Sequence, residues 1–151
     1  LKPFDKLMER LEKTNRDYAD IRKGIYHYIE VFPYVAERTG KTDFVELLKR
    51  LLRFPELKEA IQLNRSDLMS DRLQILLLII YRALARLGDR EGYEGLIGLI
   101  EECPTSLSLS ACMELRELTG QNYGYDTDRW MEFIKNATNI REIQPVKERY
   151  W

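Results

Sequence analysis

Residues 83–102 read Ala83-Leu84-Ala85-Arg86-Leu87-Gly88-Asp89-Arg90-Glu91-Gly92-Tyr93-Glu94-Gly95-Leu96-Ile97-Gly98-Leu99-Ile100-Glu101-Glu102. Gly88 follows a run of apolar residues at helical spacing, the position where a left-handed backbone closes a helix. Glycine takes that conformation without a Cβ clash. Asp89 is then placed to cap or charge the start of a second helix. The apolar positions of that helix, Tyr93, Leu96, Ile97 and Ile100, again fall at helical spacing. Gly92, Gly95 and Gly98 share this spacing and match no phosphate-cradling loop, so they are read as small residues that admit a close neighbouring helix.

The same punctuation recurs on both sides. Glu37-Arg38-Thr39-Gly40 ends one helical stretch before Asp43 and Phe44-Val45-Glu46-Leu47-Leu48. Glu117-Leu118-Thr119-Gly120 ends another before a longer loop, Asp126, and Trp130-Met131-Glu132-Phe133-Ile134. Gly40, Gly88 and Gly120 lie 48 and 32 residues apart, so the repeat is imperfect in length. A single helical hairpin cannot bury both faces, and neighbours must stack on it to share a core.

Further helical stripes cover most of the remaining chain. Phe4, Leu7, Met8 and Leu11 make the first, with Pro3 suited to a first helical turn. Tyr18, Ile21, Ile25, Tyr28, Ile29 and Phe32 make the second, which Pro33 should kink or restart. Phe44, Leu47, Leu48, Leu51 and Leu52 follow, then a short segment from Pro55 with Leu57 and Ile61. Ser66 to Leu87 is apolar on all sides, which predicts a central helix with Leu76, Ile79 and Ile80 deeply buried. Leu107, Ala111, Leu115 and Leu118, then Trp130, Phe133 and Ile134, complete the set. No segment alternates polar and apolar residues as a half-buried strand does.

These residues resemble the short HEAT-like (PBS-lyase-type) helical repeat of bacterial proteins. The resemblance rests on Ala83-Leu84, Leu87-Gly88-Asp89 and the Leu/Ile-rich second helix ending in Glu101-Glu102. Leu118-Thr119-Gly120, the Tyr123-Gly124-Tyr125-Asp126 loop and Trp130 look like the terminal unit of such an array. The match is best over residues 71–137. It implies an all-α fold of stacked antiparallel helix pairs, an α-α superhelix of about three repeats without a sheet. One domain is expected over residues 1–137, with a tail at 138–151. Gly40, Gly88, Gly120, Asp126 and Trp130 are its structural positions.

Composition narrows the function. Lys and Arg number 24 against 25 Asp and Glu, so the whole domain has no electrostatic case for nucleic acid or anionic lipid. The longest apolar run, Ile75 to Tyr81, is far short of the ~20 residues of a membrane span. Cys103 and Cys112 alone make neither a disulfide framework nor a four-ligand zinc site. His27, the single histidine, has Glu30 three residues away on an adjoining face, but an ordinary packing or surface role accounts for it far better than catalysis. No catalytic, cofactor or metal constellation is read. Charge is mildly polarised, +3 over residues 1–53 and −3 over 54–104. Lys49, Arg50 and Arg53 gather on one helix as a candidate interaction face, against the plainer reading of a solvated surface. Tyr123 and Tyr125 belong to a loop, 121–128, that serves either recognition or closure of the stack.

The resemblance implies a non-catalytic domain that contacts another protein or a preceding domain of the same chain. Leu1 in place of an initiator Met fits an accessory region cut from a larger bacterial protein. The alternatives are the terminal helical domain of a large enzyme, such as a flavin-dependent oxidoreductase, or a HEAT-like DNA glycosylase. The latter needs a basic groove that the charge balance does not supply.

Overall fold

The computed structural model describes residues 2–13, 30–55, 57, 68–102 and 105–137. Among them run helices α1 (Lys2–Lys13), α2 (Val31–Thr39), α3 (Phe44–Leu52), α4 (Leu68–Arg86), α5 (Arg90–Glu102), α6 (Thr105–Thr119) and α7 (Thr127–Asn136), with no strand. The stripe from Tyr18 to Ile29, His27, Ile61, Cys103 and the 138–151 tail lie outside the described residues.

The three glycines close helices as their spacing predicts, by two different hydrogen-bond patterns. Gly40, Gly88 and Gly120 have φ of 63°, 84° and 73°. After α4 the Gly88 N–H donates to the Ala85 carbonyl (3.0 Å) and the Asp89 N–H to Leu84 (2.9 Å), the paired bonds of a Schellman closure. After α2 and α6 the Gly40 and Gly120 N–H groups donate to Ala36 and Arg116, each at 2.9 Å. There the preceding threonine reinforces the stop. Thr39 Oγ1 donates to Val35 (2.8 Å) and accepts from the Lys41 N–H (3.4 Å), while Thr119 Oγ1 donates to Leu115 (2.7 Å) and accepts from Gln121 (3.1 Å).

Two of the three expected aspartate caps form. Asp89 Oδ1 accepts from the Glu91 N–H at 3.0 Å and Asp126 Oδ1 from the Arg129 N–H at 3.2 Å. Asp43 does not cap α3. Its backbone is already helical, φ −57° and ψ −26°, and the first amides of α3 turn onto the Lys41 and Thr42 carbonyls instead. Pro33 falls in the first turn of α2, where the missing N–H costs no intrahelical bond.

Helix α4 packs against α2, α3, α5 and α6, while α5 also holds α6 and α7, and α1 lies on α3. Two buried clusters meet along α4. The first gathers Met8, Leu11, Phe32, Leu48 and Leu51 onto Leu76, Ile80 and Leu84. The second gathers Tyr93, Leu96, Leu115, Trp130 and Ile134 around Ala85, and Tyr81 packs against both. Leu76 and Ile80 are thus core residues as expected, but Ile79 is only half-buried and Ile75 is 51% exposed. Ile75, Ile79, Arg82 and Arg86 lie at i, i+4, i+7 and i+11, one stripe outside both apolar clusters, open to solvent at Ile75 and buried at Arg82 and Arg86. An apolar composition on all sides of α4 therefore conceals an outward face.

Gly92 and Gly95 bring α5 against α4. A Cβ on Gly92 would overlap the Ala85 amide nitrogen and lie 2.6 Å from the Tyr81 carbonyl oxygen; one on Gly95 would overlap the Tyr81 ring. Gly98 departs from this pattern, since a Cβ there meets nothing within 4 Å. The third small residue of the series faces open space, about one turn beyond Gly95. Gly92→Ala is therefore expected to lose about 1–3 kcal/mol or more, because the obstacle is backbone and cannot rotate away. Gly98→Ala should gain about 0.5–1 kcal/mol from better helix propensity. Urea denaturation of the two variants checks the difference in sign.

Candidate functional site

Four charged side chains from α2, α4 and α6 meet at the buried end of the 75–86 stripe of α4. Arg82 Nε donates to Glu37 Oε1 at 2.8 Å and Arg82 Nη2 to Glu37 Oε2 at 3.4 Å, a fork from α4 to α2. Arg86 Nη1 donates to Glu37 Oε2 at 3.2 Å, and Arg86 Nη2 reaches Glu114 Oε2 of α6 at 3.3 Å. Arg82 Nη1 lies 3.7 Å from Glu114 Oε1. The side chains of Arg86 and Glu37 are only 3% and 4% exposed. Two guanidiniums and two carboxylates leave the cluster neutral, the condition for charges to persist away from water. The Arg82 guanidinium also sits 5.6 Å from the centre of the Tyr34 ring. Burial pushes the Glu37 carboxyl above 4.5, Arg82 and then Arg86 pull it partly back, and Glu114 adds to the rise. This arrangement joins helices. Its cations and its anions already face each other, so it offers neither an anion site nor a ready general base.

Sequence reading missed this cluster. The available signal was Arg82 and Arg86, one turn apart, within the most apolar helix of the chain. Arginine there demands partners, but the partners are 45 and 28 residues away in sequence, on other helices.

Helices α2, α4 and α6 also carry exposed apolar side chains. Val31 and Tyr34 on α2, Ile75 on α4, and Leu109 and Met113 on α6 are 41–56% exposed.

The basic residues flagged in α3 have intramolecular partners. Lys49 Nζ lies 3.0 Å from Asp89 and 3.6 Å from Glu91, tying α3 to the α4–α5 turn, and its bond to Asp89 raises the lysine pKa. Arg50 Nε donates to Glu12 at 2.7 Å and its Nη1 lies 3.7 Å from Asp5, tying α3 to α1. Arg53 is exposed at the end of α3.

The 121–128 loop is closed by one carbonyl. Gly124, at φ 56°, presents its oxygen to the Trp130 indole N–H (2.8 Å) and to the Cys112 thiol (3.1 Å). Trp130 is fully buried. Tyr123 meets it edge-on, with centroids 4.9 Å apart, and also contacts Phe133 at 6.1 Å. Burial raises the Cys112 thiol pKa, the opposite of nucleophile activation. Thr127 Oγ1 donates to Glu101 (2.6 Å) and Arg90 Nη1 to the Ile134 carbonyl (2.7 Å), fastening α7 to α5. Tyr125 is 56% exposed.

Among the described residues no group of three or more His, Cys, Asp or Glu is placed to hold a metal ion, and no helix is long and apolar enough to cross a membrane. No family model, curated protein or solved structure matches the chain.

Two predictions come from these sites. Folded Glu37 holds its proton more tightly than unfolded Glu37, so its contribution to stability is full below 4.5 and is lost as pH rises through its raised folded value. Wild type should accordingly lose stability relative to Glu37→Gln as pH rises from below 4.5, in denaturation curves taken across pH. A difference that stays constant, or grows in favour of wild type, contradicts the assignment. At the loop, Asp126→Ala should cost roughly 0.5–2 kcal/mol as a lost cap. Trp130→Ala should cost about 3–5 kcal/mol as a lost core aromatic whose indole N–H also holds Gly124. Unchanged unfolding midpoints in both would contradict a closing role for the loop.

Proposed function

We propose that the chain is a HEAT-like helical-repeat domain whose outward face holds another protein or a neighbouring domain of its own chain. In this reading α2–α3, α4–α5 and α6–α7 are three antiparallel pairs of an α-α superhelix, within a non-catalytic accessory region of a larger bacterial protein. The Gly40, Gly88 and Gly120 closures support the pairing, since each ends the first helix of a pair. The packing of α2 on α4 and of α4 on α6 supports stacking of those first helices.

The observation that carries the contact function is the row of half-exposed apolar side chains, Val31, Tyr34, Ile75, Leu109 and Met113, on three successive first helices. Exposed apolar side chains repeated on packed neighbouring helices fit an interaction site. Arg82 and Arg86 of α4 are turned onto Glu37 and Glu114, so in this reading the face draws its affinity from apolar burial.

The test uses a photo-crosslinking residue placed at Ile75, at Met113 and, as control, at exposed Glu102 on α5. In extracts of the native host, positions 75 and 113 should capture the same protein and position 102 should not. Identical products from all three positions, or none from 75 and 113, contradict the proposal, as does binding of plain duplex DNA at low salt. Ile75→Asp and Met113→Asp should keep stability within about 0.5 kcal/mol, because neither side chain is core.

A further inference from the structure

A cavity of about 330 Å³ opens beside the 121–128 loop, lined by Tyr123, Arg129, Glu132, Phe133, Asn136 and Ala137. Its aromatic wall is built from contacting rings. Tyr123 is held edge-on by Trp130 and Phe133, and its hydroxyl donates to Gln121 Oε1 at 3.4 Å. Arg129 lays its guanidinium over the Tyr123 ring, 4.7 Å from the centroid, and forms no ion pair with any described carboxylate, including Glu132 one turn along α7. This contrasts with Arg50, Arg82 and Arg86, whose guanidiniums all face acids.

A guanidinium fixed on an aromatic ring has its orientation set before any ligand arrives, while its edge N–H groups remain available as a two-pronged donor. An aromatic wall of this kind also attracts cations, but Arg129 already occupies the Tyr123 face. Arg129 is exposed, and the edge of its guanidinium is open to an anion. Glu132 on the rim limits its charge, since a dianion would meet a fixed carboxylate. Phe133 and Ala137 leave an apolar wall for the body that carries the anionic group.

We propose that this cavity binds a single carboxylate carried on an apolar body, with Arg129, backed by Tyr123, as the bidentate donor and Phe133 and Ala137 as the wall. Two sources share that chemistry, the free C-terminus of a peptide ending in an apolar residue and a small aromatic acid. The site is separate from the outward face of α2, α4 and α6, so the failure of one reading leaves the other standing.

The test is a nuclear magnetic resonance titration of the ¹⁵N-labelled full chain with N-acetylphenylalanine, its C-terminal amide, a heptapeptide ending in Phe with a free carboxylate, and inorganic phosphate. The free acid should shift the amides of Tyr123, Arg129 and Phe133 with roughly millimolar or tighter affinity, and the amide and phosphate should bind at least about tenfold more weakly. Arg129→Gln retains the backbone N–H that Asp126 accepts, so it should keep the wild-type unfolding midpoint and lose about tenfold in affinity for the acid. Tighter binding of the heptapeptide supports the site and assigns it to a protein tail; equal binding supports it and assigns it to a small acid. No shift with the free acid, equal shifts with acid and amide, or undiminished binding to a folded Arg129→Gln variant overturns the proposal.

Discussion

The neutral cluster of Glu37, Arg82, Arg86 and Glu114 is the interaction on which the arrangement of the helices depends. Directed bonds there join α2, α4 and α6, and Arg82 and Arg86 contribute to both halves of the cluster. Hydrophobic contact along α4 is stronger in total but does not fix angle or register by itself, because apolar side chains can slide and repack. A buried charge has no such freedom. Displacing any one of the four leaves a guanidinium or a carboxylate without its counter-charge in a site that water barely reaches. Burial raises the Glu37 pKa against the pull of both arginines, so this order is held against desolvation.

Around that constraint the rest of the molecule is arranged in two cores. On one side α1, α2 and α3 close over the Leu76–Ile80–Leu84 edge of α4, with Arg50 and Lys49 bridging outward to α1 and to the α4–α5 turn. On the other, Gly92 and Gly95 let α5 approach the α4 backbone, and α6 and α7 fold over it. Asp89 serves both sides at once, capping α5 through Oδ1 and taking Lys49 on Oδ2. With both cores satisfied, α2, α4 and α6 leave apolar side chains outside, while their buried charges are tied to one another. That is the physical basis for reading the domain as a contact surface.

Local signals in the sequence were legible. The glycine stops at 40, 88 and 120, the caps at Asp89 and Asp126, the stripes of α1, α3, α5, α6 and α7, and the burial of Trp130 each depend on residues within about a turn or a short loop. What was illegible depends on who lies opposite. Ile79 looks like core by composition and is half-exposed because α4 buries only the faces its neighbours cover. Gly98 repeats the spacing of Gly92 and Gly95 but lies beyond the close approach. Lys49 and Arg50 look like a basic patch until Asp89, Glu91, Glu12 and Asp5 arrive from other helices. The Glu37–Arg82–Arg86–Glu114 cluster, the most non-local feature of all, had only the odd placement of two arginines in an apolar helix to announce it.

A double-mutant cycle on Glu37→Gln and Glu114→Gln tests the central role of the cluster most directly. The two carboxylates sit on different helices and are linked through Arg82 and Arg86. Losing one leaves an excess positive charge and losing both leaves two facing guanidiniums with no counter-charge. The double variant should therefore cost at least about 1 kcal/mol more than the sum of the singles, or fail to fold where each single variant folds. Additivity within about 0.5 kcal/mol would mean that α2 and α6 are not coupled through α4, and would contradict the account.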